Sequence, residues 1–395
     1  MKTDSVIMDK LKDIYEISYM FGYSYFGPFL IGFIKWISEI VDTSEIDNIF
    51  FFARDGYMMK RAYELYTNKS DTYYAYFSRN SIRQALLYRS RTFTDSLQYL
   101  TKERYVSLNK LLKYYGFTPS ECNQIAIKNS MDLNAEFKYE DIYKLNVLKK
   151  IYQENLDIIK SKSKDKASLL RKYLMQIGFE GNCAIIDIGW HGSMQFYLEK
   201  FLEFENIGAS IIGIYVGIDP IEKLKGTVHG YVYNPKDLKM RKKLLCFLGG
   251  YEKLFQSLDG STNGYELKNG HIFPVLTPYE YENDFRIKSI ISQWQKGALR
   301  YVESHKTCII CEKNKLIIPL INFGINPPKW GLKLFEAFYL EDGEKQYFLP
   351  QKKINEYKIK ELLHSLSNSV WKTGFMKSLL KIPLPYYWIY YMLRK

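Results

Sequence analysis

The sequence predicts an α/β fold: a Rossmann-like, mostly parallel sheet flanked by helices, with a helical insertion and an α+β C-terminal part. Three observations predict it. Residues 48–53 are a short apolar run that stops at Arg54-Asp55-Gly56 and gives way to a helical pattern. Residues 72–77 are a second run, leading through Ser78-Arg79 into another helix. Residues 183–188 are a third, running into Gly189-Trp190-His191-Gly192-Ser193. Strand, helix, strand at this spacing is a βαβ unit, which requires parallel strands.

Each element follows in order. Residues 10–45 read as helical, ending near Asp42-Thr43-Ser44. Within them, residues 17–34 are uncharged and of about spanning length. Gly22, Gly27, Pro28 and Gly32 make a core helix with a Gly-Pro break a better reading than a transmembrane span. Gly56–Thr67 is a helix with Met58, Met59, Ala62 and Leu65 on its apolar face. Residues 92–178 read as a largely helical insertion. The stretch 160–166, Lys-Ser-Lys-Ser-Lys-Asp-Lys, reads as an exposed turn or as a mobile basic lid. Residues 209–217 are a further central strand. Residues 226–275 mix short strands with a helix over 244–258, and 280–307 and 357–370 are helical again. A boundary near 270 divides a catalytic α/β region, 1–270, from a C-terminal region, 271–395.

Composition narrows the partners. The chain has 395 residues, more than one typical core, and 47% are apolar. A net charge of +13 calls for an anionic partner. No zinc finger, RNA-binding signature or Arg-rich arm accompanies it, so nucleic acid is excluded in favour of a phosphorylated substrate or an acidic lipid surface. The 35 Tyr suit sugar binding, or else reflect a biased base composition of the gene. Cys122, Cys183, Cys246, Cys308 and Cys311, with no signal peptide at Met1-Lys2-Thr3-Asp4, read as reduced and cytoplasmic. His305, Cys308 and Cys311 lack a fourth zinc ligand, and 308–311 reads as part of a buried strand. Residues 371–395 contain no acid and interleave Lys with Trp and Tyr. Such a segment suits an anionic bilayer interface; the alternative is an element docked on the body.

The loops carry the chemistry. Arg54 offers a planar fork for a diphosphate or phosphate monoester. Asp55 can accept a proton or help hold a metal, and Gly56 lets backbone approach a ligand. Lys60 lies about one helical turn on and could reach the same anion. The alternative is a structural Arg54–Asp55 ion pair. Arg79 would emerge beside Arg54 as the second half of a pyrophosphate clamp, unless Ser78-Arg79 is only a helix cap at Ser78. In the third loop Asp187 ends the strand, Gly189 and Gly192 keep the turn thin, and Ser193 can donate to phosphate and cap the next helix. Trp190 and His191 project from it, and His191 could orient or accept a proton.

A resemblance rests on these residues together. Phe26-Gly27-Pro28, Ala53-Arg54-Asp55-Gly56-Tyr57 with Lys60, Phe77-Ser78-Arg79, residues 187–195, Glu252-Lys253-Leu254-Phe255 and the Gly260/Gly264 turn follow one another along the chain. Over roughly residues 15–270 they resemble the glycan phosphoribosyltransferase module of bacterial ribofuranosyltransferases, found in surface-polysaccharide (O-antigen, lipopolysaccharide, capsule) synthesis. The resemblance implies phosphoribosyl diphosphate as donor, Mg2+ as cofactor and a lipid-linked glycan hydroxyl as acceptor, at the inner face of the cytoplasmic membrane. It implies that Arg54, Lys60 and Arg79 bind the diphosphate, aided by Gly56 and Ser78. Gly189, Trp190, Gly192, Ser193 and Gln195 would hold the 5-phosphate. Asp187 would touch the ribose hydroxyls or Mg2+, and Asp55 would be the acceptor base, the two roles being interchangeable. His191 and Glu252 complete the catalytic candidates. No Asp-x-Asp phosphatase module precedes these motifs, so a separate phosphatase would remove the 5-phosphate. Two other readings stay open: a sugar-nucleotide-dependent glycosyltransferase, and a non-catalytic scaffold of a polysaccharide-assembly complex.

Overall fold

A computed structural model of the chain describes residues 13–100, 104–220, 224–308, 312–342 and 344–393. Its centre is an all-parallel sheet of β1 (Asn48–Phe52), β2 (Tyr73–Ala75), β3 (Gly181–Trp190), β4 (Ala209–Ile218) and β5 (Thr227–Tyr233). The spatial order is β2-β1-β3-β4-β5. The α/β class predicted from the sequence is therefore the observed one. Both faces are covered, as parallel sheets require. Phe51, Ala184, Ile186 and Ile214 belong to one buried cluster; Phe50, Phe52, Cys183 and Ile185 belong to the other. The uninterrupted Phe50-Phe51-Phe52 run is the signature of a strand buried on both sides.

The first face is covered by α1 (Ile14–Phe21) and α2 (Gly27–Thr43), joined through a π-turn over Gly22–Phe26. The sequence predicts a break at Gly27-Pro28. Instead Pro28 sits in the first turn of α2, where its missing N–H costs nothing, and the chain stays helical throughout. The run Ile14–Thr43 is long and apolar enough to cross a membrane by length and composition, and 72% of its most apolar window is buried inside the protein. Next come α3 (Gly56–Thr67) and, on the opposite face, α4 (Arg79–Leu86).

The insertion holds a small hairpin, Tyr105–Ser107 with Glu136–Lys138, short helices, and then the long α5 (Leu156–Gln176). The predicted turn or lid at 160–166 is the middle of α5. Nothing in Lys-Ser-Lys-Ser-Lys-Asp-Lys breaks a helix, and the buried Ser163 anchors it. Its hydroxyl donates to Gln84 O at 2.6 Å and accepts from Tyr88 N–H at 2.8 Å. Lys162 pairs with Glu121 at 2.7 Å.

Beyond β3 the chain forms α6 (Ser193–Glu205). The predicted helix over 244–258 is two helices, Arg241–Leu245 and α7 (Leu248–Phe255), divided at Cys246-Phe247. After the hairpin Thr262–Lys268/His271–Leu276 comes α8 (Phe285–His305). It crosses α1 with backbones in contact: a Cβ on Gly297 would lie 2.1 Å from Tyr19 O. Cys308 is exposed just beyond α8 and not in a buried strand; Cys311 lies outside the described residues. The core does not divide at residue 270. Phe21, Phe29, Trp294, Phe335 and Trp371 share one cluster.

Candidate active site

The chain runs β1, α3, β2 outward in one direction. It then returns to place β3 on the other side of β1. The topological switch point is the crevice between the carboxyl ends of β1 and β3, where open α/β sheets bind ligands. Phe51 is paired with Ile186, so Asp187 stands one residue past that pair and Asp55 lies on the turn that ends β1.

That turn is tightly held. Ala53 N–H donates to Ala75 O at 2.9 Å. Arg54 O accepts from Tyr57 N–H at 3.2 Å, Ser257 N–H at 3.1 Å and the Tyr74 hydroxyl at 3.4 Å. Gly56 must be small, because a Cβ there would lie 2.8 Å from Phe51 C. The β3 loop needs glycine for a different reason: Gly189 has φ +100°, and a Cβ would meet Gly217 O at 2.6 Å. Trp190, also at positive φ, donates its indole N–H to Glu252 Oε1 at 3.3 Å. In this way α7 closes the crevice with a third carboxylate.

Asp55, Asp187 and Glu252 are all half-buried. Burial, then Asp187 and Glu252, push the Asp55 carboxyl well above the ordinary range. Burial, with the Glu252 charge adding to it, brings Asp187 up to about 6, against the opposing Ile188 and Gly189 N–H groups and Arg79. Burial also raises Glu252, against the Trp190 N–H and the charges of Lys253, Arg54 and Arg79. Among the described residues no salt bridge engages any of the three. Two of the neighbouring cations, Arg54 and Lys253, are committed to Glu280. Arg54 Nη1 lies 2.8 Å from Glu280 Oε2, and its Nη2 donates to Gln256 Oε1 at 3.0 Å. The fully enclosed Lys253 pairs with the other oxygen of Glu280. Burial drags the Lys253 ammonium down to about 8. Burial works to raise Glu280, but Lys253 and Arg54 outweigh it and hold its carboxyl below the ordinary range.

The sequence-predicted residues therefore separate. Asp55, Asp187, Glu252 and Trp190 converge, with Gly56 and Gly189 shaping the loops. The Arg54–Asp55 ion pair is replaced by Arg54–Glu280. Arg79 is exposed at the start of α4, and its charge favours the ionised forms of Asp187 and Glu252. Lys60 pairs with Glu64 one turn further along α3, away from the crevice end of that helix. Ser78 is a cap: it accepts from Ser81 N–H at 3.0 Å and donates to Thr262 O at 2.5 Å. Gln195 is fully buried, its amide shared between Glu199 and the Tyr215 hydroxyl, both at 2.8 Å, which removes it from the loop's open side. His191 is exposed, with Nδ1 3.2 Å from Asp219 O. The N-cap of α6 is Gly192, not Ser193, and no side chain caps this helix. The amides of residues 193–195 precede the first intrahelical bond, Phe196 N–H to Gly192 O, and are available to an anion.

Sequence reasoning missed Gln256 and Glu280, and passed over Lys253 as a site residue. A lysine inside the apolar α7 and an acid between Tyr279 and Tyr281 were the available signals. Among the described residues no three His, Cys, Asp or Glu side chains are spaced to hold a metal ion by themselves. The donor set nevertheless fits Mg2+, which takes one or two carboxylates and completes its shell with water and substrate phosphate. Compared with known proteins, the chain matches no family model and no curated protein.

Proposed function

We propose that the β1/β3 crevice is the active site of a glycan phosphoribosyltransferase. It moves 5-phosphoribosyl from phosphoribosyl diphosphate to a hydroxyl of a lipid-linked glycan. One observation carries the reading. Asp55, on the turn after β1, and Asp187, three residues before the end of the adjacent parallel β3, lie at the topological switch point, and β3 leads into the N-terminus of α6, which no side chain caps. That juxtaposes proton-accepting carboxylates with an anion-binding end.

The reaction breaks the bond from the anomeric carbon to diphosphate and joins that carbon to the acceptor oxygen. The acceptor proton goes to a carboxylate, and Asp55, whose proton affinity is raised, suits the task. Charge at the ribose ring turns positive as the bond breaks, and Asp187 and Glu252 supply a negative field fixed in advance. Trp190 holds Glu252 in place. Arg79 and the amides of residues 193–195 take phosphate oxygens. Asp187, with Asp55 or Glu252, would hold Mg2+, which when bound offsets the charge of the diphosphate. On the acceptor side the rings of Tyr57, Tyr74 and Tyr76 form an edge-to-face row, with centroids 6.3 and 5.1 Å apart. The charge of Asp259 acts on Tyr74 and Tyr76, and the combination of rings and acid suits a sugar. The lipid-linked acceptor sets the enzyme at the inner face of the cytoplasmic membrane, in O-antigen or capsule synthesis, with a separate phosphatase acting next.

The test is isothermal titration with Mg2+ and phosphoribosyl diphosphate. The wild-type protein should bind, and Asp187→Asn and Arg79→Ala should each weaken binding by about tenfold or more, that is ~1.4 kcal/mol. Binding of a nucleoside diphosphate sugar instead would replace this reading with a sugar-nucleotide-dependent one. Binding of neither would leave a scaffold.

A further inference from the structure

We propose that the C-terminal part of the chain seats the protein on an anionic lipid bilayer through two outward apolar faces. This rests on the membrane-surface part of the function proposed above and not on its chemistry. After α9 (Lys313–Ile325) the chain ends in α10 (Ile359–Asn368), α11 (Lys372–Leu380) and α12 (Tyr386–Leu393). Much of the basic aromatic tail is docked on the body. Trp371, Phe375, Tyr386 and Tyr390 are buried, and the Trp371 indole N–H donates to Gly324 O at 2.8 Å. The tail is therefore anchored, and only part of it is left facing out.

That part is apolar. In Tyr-Tyr-Trp-Ile-Tyr-Tyr-Met-Leu, the sequence of α12, no side chain is charged. Its inner face is covered by the core, yet Trp388 and Met392, one turn apart, are 65% and 68% exposed. A helix apolar on both faces needs cover on both. The other element is α10, amphipathic, with no buried residue and with Ile359 and Leu363 78% and 61% exposed. The two helices border one cleft of about 220 Å³, to whose lining α10 contributes Asn368 and α12 Tyr390.

Charge identifies what covers them. Residues 350–395 contain nine Lys and Arg but two acids, Glu356 and Glu361. Glu361 is already paired with Lys352. Lys242 reaches in from another segment to lie 4.1 Å above the Tyr391 ring. Trp and Tyr at headgroup depth, ringed by lysines, match an anionic interface. A second copy of the chain would set lysine against lysine.

The experiment is co-sedimentation of the full-length protein with phosphatidylglycerol/phosphatidylethanolamine vesicles, with phosphatidylcholine vesicles as the comparison. The protein should pellet with the anionic vesicles, and less so as salt screens the lysines. A Trp388→Ser/Met392→Ser variant and an Ile359→Ser/Leu363→Ser variant should each bind at least about tenfold more weakly. Their unfolding midpoints should match the wild type, because these side chains are exposed. Absence of wild-type binding, undiminished binding by both variants, or loss of a sedimenting dimer in the variants would overturn the proposal. Calorimetric donor binding, measured on the same samples, separates this outcome from failure of the catalytic reading.

Discussion

Glu280 shows how one residue decides what its neighbours can do. It pairs with Arg54 and Lys253, so among the described residues neither cation forms a salt bridge with Asp55, Asp187 or Glu252, and each only partly offsets, from a distance, the rise of Asp55 and Glu252. Burial then raises the proton affinity of all three acids, and the neighbouring carboxylates add to it at Asp55 and Asp187. Asp187 gives the measurable consequence. Its folded pKa, about 6, lies above its ordinary 3.8, so the folded state binds the proton more tightly than the unfolded state. Its contribution to stability is present in full below 3.8 and is lost as pH rises through about 6. Asp187→Asn should remove that step and make the protein more stable at neutral pH by on the order of 1–2 kcal/mol, after allowance for solvent screening. Urea midpoints of both proteins at acid and neutral pH measure it. A variant with the same pH dependence as the wild type would refute the assignment.

At the scale of elements, close backbone contact positions the first layer. α1 and α8 cross where Gly22 meets Trp294 O and Gly297 meets Tyr19 O, with projected Cβ distances of 1.9 and 2.1 Å. No side-chain rearrangement relieves a clash with a carbonyl oxygen, so the helices must move apart. Gly297→Ala should cost about 1–3 kcal/mol, the usual range for overpacking, despite the gain in helix propensity. Chemical denaturation would detect it, and a stabilised variant would contradict the observed crossing. The same layer buries α2 and α3, and α3 begins at the crevice. Loosening it should therefore also be felt at Asp55.

The whole molecule is joined by its aromatic residues. Phe21 packs on Phe323 at 4.7 Å between centroids, and Phe335 lies 5.5 Å from both Trp294 and Trp371. The helices over one sheet face thus depend on residues more than 300 positions later. A fragment of residues 1–270 would strip Phe21 and Tyr25 of their ring partners Trp294, Phe323, Trp330 and Phe335 and should fail to unfold cooperatively. Thermal melting followed by near-ultraviolet circular dichroism would test this, and a sharp transition in the fragment would refute it.

What the sequence by itself determined is local. Apolar runs broken by an acid mark β1 and β3, although β3 does not stop at Asp187 as the sequence suggests: it stays paired with β4 through Trp190, so the half-buried carboxylate sits within the strand. Gly56, Gly189 and Gly192 mark the loops, because backbone must pass where no side chain fits. Asp55 and Asp187 were legible for both reasons. The 160–166 stretch was misread because alternating Lys and Ser resembles a loop until Ser163 is seen to face inward. Lys60 is suggested by helical spacing, and Ser78 and Gln195 by the motifs of the resemblance, yet their hydrogen bonds tie them to Glu64, Ser81 and Tyr215. Only the tertiary structure decided the charges. Glu280 is 226 residues from Arg54, and no periodicity records such a pairing. Proton affinity depends on distance and burial in space, and both are settled only when distant segments pack together.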